Sequence, residues 1–94
     1  MNEKQLLEHF AMVRDYWVNL PKEQIVLENG KTETEYRMNG LIFSILCLFD
    51  GVSDSPLNFT PIRLVSGNFP KVQGGTIINK GDTELHDLWC KLGN

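Results

Sequence analysis

Apolar positions recur along the first segment at Leu6, Phe10, Val13, Trp17 and Leu20, the spacing of one face of an α-helix. Asn2 stands where a cap belongs and Gln5 follows three residues later, the two halves of a capping box. Pro21 closes the segment, because its ring replaces the N–H that another helical turn needs. The pattern predicts a helix from Glu3 to about Leu20. Gln24 to Glu28 follows as a short strand or extended connector, ending in the turn pair Asn29-Gly30.

The longest apolar run spans Arg37 to Gly51 and admits two readings. Asn39-Gly40 suits a type I′ hairpin turn between Thr32–Met38 and Leu41–Phe49. Against this, Met38, Leu41, Ile42, Ile45, Leu46 and Phe49 fall on one helical stripe. Thr32 and Glu35 have capping-box spacing, and Gly51 sits where a helix C′ residue belongs. A glycine inside a helix costs about 1 kcal/mol relative to alanine, less than burial of six large side chains returns. The balance predicts one helix, with that stripe facing the core.

Beyond a loop from Gly51 to Pro56, Leu57 to Val65 alternates as a strand, with Pro61 marking an edge or a bulge. Gly67 to Gly75 reads as a turn, and Thr76 to Asn79 as the partner strand. Asp82 or Thr83 would cap a last helix built on Leu85, Leu88, Trp89 and Leu92, ended by Gly93. The order α-α-β-β-α predicts an α+β fold: two N-terminal helices and one C-terminal helix packed on a small antiparallel sheet. With 94 residues, one domain spanning 1–94 is expected.

Charge narrows the partners. The net charge is −3, and up to Arg37 the acids Glu3, Glu8, Asp15, Glu23, Glu28, Glu33 and Glu35 outnumber Lys4, Arg14, Lys22, Lys31 and Arg37. No Lys/Arg cluster is present, so nucleic acid is not an expected partner. No run approaches the roughly 20 apolar residues of a bilayer span, so no membrane is expected either. The polar start Met1-Asn2-Glu3-Lys4-Gln5 lacks the apolar core of a signal peptide, which leads to the expectation of a cytoplasmic protein. Cys47 and Cys90 are too few for a disulfide framework and read as reduced core thiols.

Little in the chain carries chemistry. His86 and Cys90 stand four apart on the last helix, near Asp82, Glu84 and Asp87, but a four-ligand zinc site would also need Cys47 and His9 to converge from two other helices. No metal, cofactor or catalytic residue is therefore expected, and the cysteines' apolar neighbours argue against an activated thiolate. Asp50 to Ser55 reads as turn chemistry. Gly74, Gly75, Lys80 and His86 are the candidate ligand contacts, since backbone N–H groups before a helix suit a phosphate. Tyr16, Trp17, Tyr36 and Phe69 exceed what so small a core can hold, and are candidate interface residues.

Gly40-Leu41-Ile42-Phe43-Ser44-Ile45-Leu46, then Phe49-Asp50-Gly51, and later Ile78-Asn79 with Leu85-His86-Asp87, resemble a group of small proteins encoded by bacteriophages and prophages. Phe59 with Pro61 matches a further element, whereas the stretch from Ser66 to Gly75 is shorter than in the group. The resemblance implies a mobile-element context and draws attention to Asp50, His86 and Asp87. The expectation is a non-enzymatic accessory protein that binds a host protein in the host cytoplasm, a defence component among the candidates. The alternative is a homo-oligomer holding a signalling nucleotide at its interface. A small hydrolase acting through His86 and Asp50 comes third.

Overall fold

The structure, a computed structural model of the 94-residue chain, describes residues 2–28, 30–52, 62–67, 76–79 and 84–93. Three helices dominate it: α1 (Glu3–Asn19), α2 (Glu33–Asp50) and α3 (Leu85–Lys91), with a single 3₁₀ turn at Lys22–Gln24. Strand structure among the described residues amounts to β1 (Val65–Ser66) paired antiparallel with β2 (Thr76–Ile77), Val65 opposite Ile77 and Ser66 opposite Thr76. The expected α+β architecture is thus corrected: 65% of the described structure is helical. A two-residue pairing whose first strand is exposed offers no face on which helices could pack. Leu57 to Pro61, the first part of the expected strand, lies outside the described residues, and Ile62 to Leu64 form no strand.

The described residues gather into two compact units, Met1–Ile45 and Leu46–Asn94, whose boundary falls within α2. In the first unit, Asn2 and Gln5 close the expected capping box of α1, with Gln5 N donating to Asn2 Oδ1 at 2.9 Å and Asn2 N to Gln5 Oε1 at 3.0 Å. Ile25 to Glu28 form a connector outside any ladder. Lys31 N donates to Glu28 O at 3.0 Å, closing a turn in which Gly30 has φ +76°. Thr32 and Glu35 supply the capping box of α2, with Glu35 N donating to Thr32 Oγ1 at 3.1 Å. The hairpin reading of the central run is excluded by this continuous helix.

Which side of α2 meets Trp17 differs from the expected face. The Trp17 indole lies directly over Gly40, and its Nε1–H donates to Ser44 Oγ at 2.8 Å. Gly40 and Ser44, four apart, form a notch of small residues on one side of the helix. Arg37, one turn earlier, donates to Trp17 O at 2.6 Å and Val18 O at 3.2 Å. These bonds satisfy carbonyls at the end of α1, whose last turn has no basic residue of its own. Met38 and Ile42 of the expected core stripe are consequently exposed, at 57% and 38%. The other four residues of the stripe, Leu41, Ile45, Leu46 and Phe49, are partly buried, so the difference is confined to the Met38–Ile42 edge, which gives way to the small residues that the tryptophan needs.

In the second unit α2 ends in a Schellman motif. Gly51, at φ +76°, donates its N–H to Leu48 O at 3.1 Å, and Val52 N–H reaches Cys47 O at 3.0 Å. Leu48 is fully buried, and the buried polar side chain of Asn79 organises the chain around it. Asn79 Oδ1 accepts from Leu64 N at 2.6 Å and its Nδ2 donates to Ile62 O at 2.6 Å. Ile78 N donates to Leu64 O at 2.8 Å, and Arg63 Nη1 to Asn79 O at 2.7 Å. One amide side chain therefore does here what strand pairing was expected to do.

Candidate functional site

Chemistry concentrates where Asp50, the last residue of α2, meets the start of α3 in the second unit. The Schellman turn halts α2 at this residue, and the Asp50 side chain is only 4% exposed. Its Oδ1 accepts from Leu85 N at 3.1 Å, and its Oδ2 from His86 N at 2.9 Å. Asp50 thus caps α3 from 35 residues away. The residue at the cap position itself, Glu84, makes no side-chain cap bond. Asp82 and Thr83, the expected caps, lie outside the described residues.

The same carboxylate takes a third donor, His86 Nδ1 at 2.7 Å. An ionised carboxylate only accepts, so Nδ1 carries the proton. The other ring nitrogen, Nε2, faces Glu84 Oε2 at 3.3 Å and Asp87 Oδ1 at 3.5 Å. The imidazole is 14% exposed and stands among three carboxylates. Burial raises the Asp50 carboxyl pKa, but the His86 and Leu85 donors more than offset this and hold it below its ordinary value. Cys47, one turn before Asp50, has its thiol pushed up to about 11 by burial and by the Asp50 charge, which keeps it protonated and unreactive near neutral pH. Cys90 is exposed, correcting the expectation of a core thiol: it lies on the outward side of a short helix.

Of the candidate ligand contacts, His86 lies in this cluster, while Gly74, Gly75 and Lys80 lie outside the described residues. Of the candidate interface residues, Tyr16 is 59% exposed on α1. Trp17 is half-buried, with ring centroids 5.1 Å from Tyr16 and 6.0 Å from Tyr36 in edge-to-face contacts. Phe69 lies outside the described residues. From its own residues the sequence offers Asp50 as turn chemistry, and only the resemblance and the hydrolase alternative single it out; Asn79, Gly40 and Ser44 have no site role there. The signal for Asp50 is an aspartate directly before the glycine that ends α2, where the helix dipole disfavours a carboxylate.

Among the described residues no helix is long and apolar enough to cross a membrane. Comparison of the chain with family models, with curated proteins and with solved structures finds no match.

Proposed function

We propose that this protein is a non-enzymatic accessory protein that acts by binding another protein through the first unit. The phage and prophage resemblance makes a host protein, such as a defence component, the partner. The observation that carries the reading is the orientation of α2. With Trp17 seated on Gly40 and Ser44, Met38 and Ile42 are turned to solvent, and Met12 and Tyr16 stand exposed four apart on α1. Large apolar and aromatic side chains left in water on short, well-capped helices are what association surfaces are made of. The acidic excess of this half suits a partner whose apolar surface is bordered by Lys and Arg.

The nucleotide reading has less support. His86, its one described contact, is surrounded by Asp50, Glu84 and Asp87, which repel a phosphate. The hydrolase reading gains a His–Asp pair, and among the described residues Nε2 faces the carboxylates of Glu84 and Asp87.

A photo-crosslinking amino acid placed at Met38, and separately at Tyr16, tests the proposal in host cells. Expected is one discrete adduct per site to the same protein, lost when Ile42→Asp or Met12→Asp is added. Adducts only between copies of this chain would point to self-association and overturn the host-protein reading. Absence of any adduct at both sites would remove the surface altogether.

A further inference from the structure

We draw no further inference here: the strongest candidate, the surface patch on the connector of the first unit from Ile25 to Glu28, leaves Val26 and Leu27 exposed at 77% and 50%, and nothing in the structure shows what covers them.

Discussion

Gly40→Ala should destabilise this protein, although the same change at an ordinary helical position stabilises by about 1 kcal/mol. A Cβ at residue 40 would stand 2.4, 2.5 and 2.6 Å from three carbons of the Trp17 ring. Ordinary contact begins near 3.4 Å, so the indole must withdraw by about 1 Å or tilt. Either movement breaks the 2.8 Å bond from Nε1–H to Ser44 Oγ. A lost hydrogen bond in a part-buried seam costs about 1 kcal/mol. Forcing an added carbon into filled space costs about 1–3 kcal/mol more. Set against the helical gain, the net loss is about 1–3 kcal/mol, or several degrees in Tm for a chain of this size.

Urea unfolding followed by far-UV circular dichroism measures the loss directly, and a double-mutant cycle isolates its cause. Trp17→Leu removes the ring carbons that would collide while keeping an apolar side chain. In that background Gly40→Ala should become stabilising by about 1 kcal/mol, since only helix propensity is left. A reversal of sign is hard to produce by any route other than contact between residues 17 and 40. Stabilisation by Gly40→Ala in the wild-type background would refute the seam and the orientation of α2 that follows from it.

Asn79→Leu should cost about 2–4 kcal/mol despite similar volume, because Leu64 N–H and Ile62 C=O both lose their partner; an unchanged urea midpoint would contradict this. Burial lowers the pKa of His9 below its ordinary value, so the unfolded chain takes up a proton more readily than the folded one. The stability His9 supplies is complete above the unfolded value of about 6.5 and is lost as pH falls through the lower folded value. As pH falls from about 7.5 to about 5, through the unfolded value of about 6.5, the wild-type midpoint should fall, and in His9→Gln the decline should be shallower.

Local signals are legible in the sequence where side chain and backbone are neighbours in the chain. Both capping boxes and the Gly51 terminus fall where spacing put them, since each depends on residues three or four apart. The facing of α2 was not legible, because the stripe of Met38, Leu41, Ile42, Ile45, Leu46 and Phe49 is a statement about hydrophobicity alone. It does not register that an indole needs a gap and an acceptor, which Gly40 and Ser44 provide. The sheet failed for a related reason. Alternation around Ile62–Leu64 suggests strand pairing, whereas Asn79 satisfies Ile62 O and Leu64 N with its own amide. A side chain that imitates a backbone partner leaves no periodic trace.

Asp50 shows the same limit at the candidate site, and its position has an electrostatic consequence. A carboxylate at the C-terminal end of a helix is opposed by that helix's dipole, so nothing within α2 favours it there. The compensation comes from the N–H groups that begin α3 and from the Nδ1 proton of His86. One carboxylate therefore both starts a helix and aims an imidazole. Any substitution at Asp50 perturbs the start of α3 and the orientation of the His86 ring together. Glu84 and Asp87 separate them: each faces Nε2, and their side chains are substantially exposed. Asp50→Asn should therefore lower the urea midpoint through the lost cap of α3, whereas Glu84→Gln should leave it unchanged; an unchanged midpoint in Asp50→Asn would contradict the capping role.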